Sequence, residues 1–222
     1  TWVVNTSLPT VRLNEVLARN DTAVNHNGTF PDVVELYNEG AAPVDLSGLR
    51  LTDDPSAPNQ FTFPPGTTLN PSNYLAVYAN NNDGTPGFHL GFALNQEGDG
   101  VYLYDSSSSG GALLDSVQFG LQAPDLSLGR FGNRGDWSLC QPTFGATNTA
   151  QPLGNATGLR INEWLASGTL PFVDDFIELY NPDALPIPLG GLYLTDQPIG
   201  APARHRIADL SYIAGHGFAG FI

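Results

Sequence analysis

The sequence predicts an all-β fold, a sandwich of short antiparallel strands arranged as tandem domains. Two observations carry this. Helical periodicity is nearly missing from the 222 residues, and short alternating runs that end in Gly, Pro, Asn and Asp clusters take its place. The same blocks also occur twice, in the same order. Leu13-Asn14-Glu15-Val16-Leu17-Ala18 returns as Ile161-Asn162-Glu163-Trp164-Leu165-Ala166. Asp32-Val33-Val34-Glu35-Leu36-Tyr37-Asn38 returns as Asp175-Phe176-Ile177-Glu178-Leu179-Tyr180-Asn181, and Leu46–Asp53 returns as Leu189–Asp196. A duplication at this separation denotes two domains of one fold, not a solenoid of short units.

Taken in order, the predicted strands are Val11–Ala18 and Val33–Asn38, both rich in β-branched and apolar residues. Leu49–Thr52 follows the Ser47-Gly48 turn, and Phe61–Phe63 ends at Pro64-Pro65-Gly66. Tyr74–Tyr78 follows Asn70-Pro71-Ser72-Asn73, and Val101–Tyr104 follows Gly98-Asp99-Gly100. Leu114–Phe119 comes after Ser106-Ser107-Ser108-Ser109-Gly110-Gly111, which reads as a flexible hairpin tip; Leu126–Arg130 is the last strand of the series. From Pro142 to Gly158 the chain turns polar and rich in Thr, Asn, Ala, Gly and Pro, a composition that joins domains loosely. The predicted organisation is therefore an extension over 1–10, a complete sandwich over 11–148, a linker over 149–158 and an incomplete second copy over 159–222. The last stretch, Ile213–Ile222, pairs with Leu69–Tyr78 of the first copy, so the second copy is expected to be completed by other polypeptide.

The charge balance narrows the partners. There are 22 acidic residues against 8 basic ones, all Arg, and the deficit is spread along the chain. Such a surface repels phosphate backbones, which argues against nucleic acid. No run approaches the ~20 apolar residues of a membrane-spanning helix, so no membrane insertion is expected. The lone Cys140 has no internal disulfide partner and no local basic residue or His to activate it, and reads as a small buried apolar residue.

These blocks together carry a family resemblance. Leu13-Asn14-Glu15-Val16, the strand around Glu35, Val44-Asp45-Leu46-Ser47-Gly48-Leu49, Tyr74-Leu75-Ala76-Val77, Gly100–Asp105 and Leu114–Phe119 resemble the lamin tail domain. Gly129-Arg130 and Trp137 look like the bacterial branch of that family. The resemblance spans about Val11–Asn148 in full and Leu159–Ile222 in part, and it implies an immunoglobulin-like β-sandwich. It also implies a secreted or filament-associated setting. The acidity and tandem arrangement fit the secreted one, hence an extracellular or cell-surface location.

Strand alternation puts Glu15 on one face with Val11, Leu13 and Leu17, and Glu163 with Leu159, Ile161 and Leu165. A carboxylate on an apolar face must accept hydrogen bonds, because burying it unpaired costs several kcal/mol. Glu15 with Glu35, echoed by Glu163 with Glu178, is either a catalytic carboxylate pair or a tie within the framework. Recurrence in a repeat that keeps mainly framework residues favours the tie. Asn14, Asn38, Asn162 and Asn181 are read the same way, as residues bonding to loop backbone.

Little else offers chemistry. His26, His89, His205 and His216 lack metal-ligand spacing, and no nucleophile elbow or phosphate-cradling loop occurs. The chain therefore reads as non-enzymatic, with no cofactor. The nearest approach to a ligand site is Asn80-Asn81-Asn82-Asp83-Gly84, where Asn80, Asn82 and Asp83 offer oxygens to a Ca²⁺-type cation without the closing carboxylate of an EF-hand. Carbohydrate binding would use exposed aromatics, with Trp2, Trp137 and Trp164 as candidates. The expected function is that of an extracellular or cell-surface structural or binding module of a larger multidomain or assembling protein, with protein partners or self-assembly. The alternatives are a targeting module of a secreted enzyme whose catalytic domain lies outside this chain, and a filament subunit completed by strand donation, with Trp2–Leu8 as the donor.

Overall fold

A computed structural model describes residues 8–81, 84–132, 135–166 and 174–222. Its strands are β1 (Val11–Leu17), β2 (Asp32–Asn38), β3 (Val44–Asp45), β4 (Arg50–Thr52), β5 (Phe61–Thr62), β6 (Thr68–Leu69), β7 (Tyr74–Ala79), β8 (Asp99–Tyr104), β9 (Leu113–Phe119), β10 (Ser127–Phe131), β11 (Asp136–Gln141) and β12 (Thr149–Ala150). The second copy supplies β13 (Arg160–Leu165), β14 (Phe176–Tyr180), β15 (Ile187–Pro188), β16 (Tyr193–Leu194), β17 (His205–Arg206), β18 (Tyr212–Ile213) and β19 (Phe218–Phe221).

In the first unit one sheet runs β12-β11-β10-β1-β2-β7 and faces a second of order β5-β4-β8-β9, with β3 and β6 paired at one end. Between them Leu13, Val16, Val34, Leu36, Leu51, Val77, Val101, Leu103, Val117, Phe119, Leu128 and Leu139 form one core. This is the sandwich of two antiparallel sheets that the alternating pattern predicts. The predicted strands all form. Two-residue β3 and β6 are too short to show alternation, β11 follows the last predicted strand, and β12 falls within the polar stretch after Pro142. Thr149 and Ala150, the first residues of the expected linker, thus belong to the first sheet as β12. Ser106–Gly111 is also more ordered than expected. Ser107–Ser109 close a 3-10 turn capped by the Ser106 side chain, and Arg50 anchors its base by donating to the Asp105 carbonyl.

One irregularity decides the site. Between Leu13 and Glu15 the β1–β2 register slips: Leu13 faces Leu36, yet Glu15 faces Glu35. Asn14 is the extra residue of a β-bulge. The strand's alternation therefore reverses there. Val11, Leu13 and Val16 point into the core, while Arg12, Glu15 and Leu17 point to the outer face of the sheet, opposite Tyr37, Glu35 and Val33. The slip recurs between Ile161 and Glu163, where Ile161 faces Leu179 and Glu163 faces Glu178.

The second unit pairs β13-β14-β19, β15-β18 and β16-β17 around a smaller core of Leu179, Ile187, Leu189, Ile207, Ile213 and Ala219. The two units are not joined by a loose linker alone. Gly120 N–H donates to the Asp209 carbonyl and Tyr212 N–H to the Leu121 carbonyl, at 3.1 and 2.7 Å. The Gln122 side chain donates to the Leu210 carbonyl. Tyr212 is buried in the first core, whereas Leu121 packs on the second.

Candidate functional site

The bulge brings two carboxylates side by side on the outer face of the first sheet. Both are fully buried. Alternation predicted burial of Glu15 among Val11, Leu13 and Leu17; the bulge instead turns it away from that core. What buries it is the segment after β11, which crosses the outer face like a strap. Ser127 Oγ and Thr143 N–H donate to Glu15 Oε1, at 2.5 and 2.9 Å, and Thr143 Oγ1 donates to Oε2 at 3.2 Å. Asn14 Nδ2 donates to Glu35 Oε1 at 2.8 Å, and Gly145 N–H donates to Oε2. Asn148 closes the arrangement, donating to the Asn14 and Arg130 carbonyls and accepting from Asn14 Nδ2. Asn14 thus bonds to side chains rather than to loop backbone. Gly129, opposite Glu15, has no room for a side chain: a Cβ would lie 2.7 Å from both Asn148 Nδ2 and Cys140 Sγ.

Two effects oppose each other at these carboxylates. Burial favours the neutral acid, and the N–H and O–H donors favour the anion. Burial prevails: it raises Glu35 from 4.5 to about 7, against the Gly145 and Asn14 bonds and with a further push from Glu15. Glu15 is raised by burial too, against donation from Ser127 and Thr143. Cys140 shares the pocket and is pushed up to about 12, first by burial and then by the Glu15 charge, so it is an inert thiol. Every carboxylate oxygen has a protein donor, and the strap covers the pair. The arrangement holds chain segments together and leaves a substrate no approach to either carboxylate.

The counterparts in the second unit lie differently. Asn162 Nδ2 donates to Glu178 Oε1 at 2.6 Å, as Asn14 does to Glu35. Glu163 and Asn162, however, are exposed, and Glu178 is half-buried, because no strap crosses them among the described residues. Asn38 and Asn181 are fully buried loop anchors. Asn38 Nδ2 donates to the Ala42 and Leu69 carbonyls, and Asn181 Nδ2 to those of Leu185 and Ala214.

Of the candidate cation loop, Asn82 and Asp83 lie outside the described residues. Asn80 Oδ1 accepts from His89 Nδ1 at 2.7 Å, which engages one proposed ligand oxygen. His26 and His89, far apart in sequence, meet here. Both bond Thr85 Oγ1, and His26 stacks on Tyr78 at 3.7 Å between centroids. No group of three or more His, Cys, Asp or Glu that could hold a metal occurs among the described residues. Trp2 is outside the described residues. Trp137 lies under the Arg130 guanidinium at 4.6 Å, and Trp164 is exposed. None of the described helices is long and apolar enough to cross a membrane.

Two facing antiparallel sheets joined in this order, with a polar clasp in place of an open cleft, define an immunoglobulin-like β-sandwich module. The family model of the lamin tail domain matches residues 5–120, and the chain belongs to that family of β-sandwich binding and structural modules. No curated protein and no solved structure matches the chain.

Proposed function

We propose that the chain is a non-catalytic structural and binding module, displayed outside the cell or on its surface as part of a larger or assembling protein. The observation that carries this is the roofing of Glu15 and Glu35. The buried Glu15–Glu35 pair is engaged in holding the strap to β1 and β2. The acidic, Lys-free surface suits an extracellular protein that avoids phosphate-bearing partners. Carbohydrate is less favoured, because Trp137 is capped by Arg130. The placement is tested by protease treatment of intact producing cells and their medium, with an antibody to residues 8–150 as the detector. Digestion without lysis is expected. Protection until lysis overturns the placement.

A further inference from the structure

His26 and His89 have no metal-ligand spacing in the sequence, yet the fold sets their rings 5.8 Å apart between centroids. His26 comes from the connection between β1 and β2. There Asn27 and Gly28, both at positive φ, form the two-residue turn of a tight hairpin. It is closed by His26 N–H donating to the Thr29 carbonyl at 2.8 Å and Thr29 N–H to the His26 carbonyl at 3.0 Å. His89 follows β7 and is held through its neighbours: Tyr78 N–H donates to the Phe88 carbonyl, and Leu90 N–H to the Tyr78 carbonyl. Tyr78 fixes the His26 ring by stacking on it, and Gly87 lies so close to Tyr78 that a Cβ would stand 2.8 Å from that ring. Backbone turns and ring stacking therefore place both imidazoles, each half-buried.

Four electron-pair donors converge between them. His26 Nε2 lies 3.0 Å from Thr85 Oγ1. His89 Nε2 lies 3.2 Å from the same hydroxyl oxygen and 3.1 Å from the Thr85 carbonyl oxygen. His89 Nδ1 donates to Asn80 Oδ1, which puts that ring's proton on Nδ1 and its lone pair on Nε2. The lone pair then faces a carbonyl oxygen, which has no proton to give. A cation resolves that opposition. Donors bound ~2.0–2.1 Å from a tetrahedral ion lie about 3.3 Å from one another, close to the separations found here, and two imidazoles on one such ion stand about 5–5.5 Å apart between ring centres. We propose that His26 Nε2, His89 Nε2 and the two Thr85 oxygens form a binding site for a late first-row divalent cation of the Zn²⁺ type. Imidazole nitrogen selects such an ion over Ca²⁺. The net charge of −14 favours cations at the surface generally. Asn80 is a positioning residue that orients the His89 ring. The bound ion ties the β1–β2 connection to the segment after β7, at one end of the first sandwich.

The test is a calorimetric titration of the whole 222-residue chain with zinc chloride at neutral pH, beside nitrogen-resolved NMR spectra of its imidazoles. One ion per chain is expected, with a micromolar dissociation constant, and the Nε2 resonances of His26 and His89 should move together. His26→Phe keeps an aromatic ring against Tyr78, and His89→Gln keeps a polar side chain. Each should weaken binding about tenfold or more, and Thr85→Val several-fold. Where a variant fails to fold, the spectra of the unmodified chain still decide. Neither heat nor a shifted resonance up to millimolar Zn²⁺ overturns the proposal. So does binding that moves His205 or His216 in place of the pair, or that survives both His26→Phe and His89→Gln unchanged. Ca²⁺ added in the same way should leave both rings unmoved, and an equal response to Ca²⁺ overturns the assignment of the ion class. These readouts do not depend on where the protein resides, so failure here is distinct from failure of the placement test.

Discussion

Glu15 and Glu163 are the same residue of the repeat in two environments, and that makes them a controlled pair. Glu15→Ala strips the acceptor from Ser127 and from Thr143 while they stay covered, and a buried donor left unmatched costs ~1–3 kcal/mol. The substitution is expected to destabilise the first unit by about 2–4 kcal/mol, whereas Glu163→Ala, on an exposed residue, should stay within ~0.5 kcal/mol. Urea denaturation of both variants checks this. Glu35 gives a pH signature. Unfolded, it loses its proton near pH 4.5; folded, near 7. Between those values the folded state holds more protons, so its stability is fullest below about pH 4.5 and declines as pH rises through about 7. A shift of that size corresponds to about 3 kcal/mol. Asp32, raised by burial to about 6, slopes the same way over a lower window. Melting temperature at pH 5 should exceed that at pH 8, and Glu35→Ala, though less stable throughout, should flatten the difference.

At the scale of elements, much of the first unit was legible because a half-buried strand advertises itself by alternation. Val33–Asn38 and Val101–Tyr104 were placed to within one or two residues on that ground. Strand β11 was not, since it pairs across a hairpin with β10 and its apolar residues Trp137, Leu139 and Cys140 do not keep a clean alternation. The strap was illegible for a deeper reason. Nothing local in Thr143–Asn148 reveals that its backbone amides meet carboxylates more than a hundred residues earlier. The recurrence of Glu15 and Glu35 marked them as special, but the face they occupy follows from a bulge that alternation does not register. The strap's closeness is itself testable. Gly129→Ala should cost about 1–3 kcal/mol by crowding Asn148 and Cys140, while Gly158→Ala, whose Cβ meets open space, should be nearly neutral. Chemical denaturation distinguishes them.

For the whole molecule, the contact at Gly120–Gln122 is expected to make the two units unfold as one cooperative body. A Cβ on Gly120 would stand 2.0 Å from Ser211 Oγ and 2.9 Å from Ala208 Cβ. Gly120→Val is therefore expected to part the units, release Tyr212 from the first core and let the smaller second core melt first. Calorimetry should show one transition splitting into two, with hydrogen exchange at the Tyr212 amide rising together with that change. A single unchanged transition would show that the junction contributes nothing. The junction is not legible in the sequence, because nothing local to Leu121 or Tyr212 marks a partner so far along the chain.

The bulge at Asn14 also governs which kind of genetic change β1 tolerates. Substitutions there alter one side chain. Deletion of Asn14 alters all those on one side of it, because the strand must then choose which half keeps its orientation. If Glu15–Leu17 stay in place, Arg12 swings into the apolar interior while Val11 and Leu13 face out; if Val11–Leu13 stay, Glu15 goes inward and the strap loses its anchor. Neither outcome is a viable sandwich. The number of residues between Leu13 and Glu15 is thus a stricter requirement than the identity of the one between them.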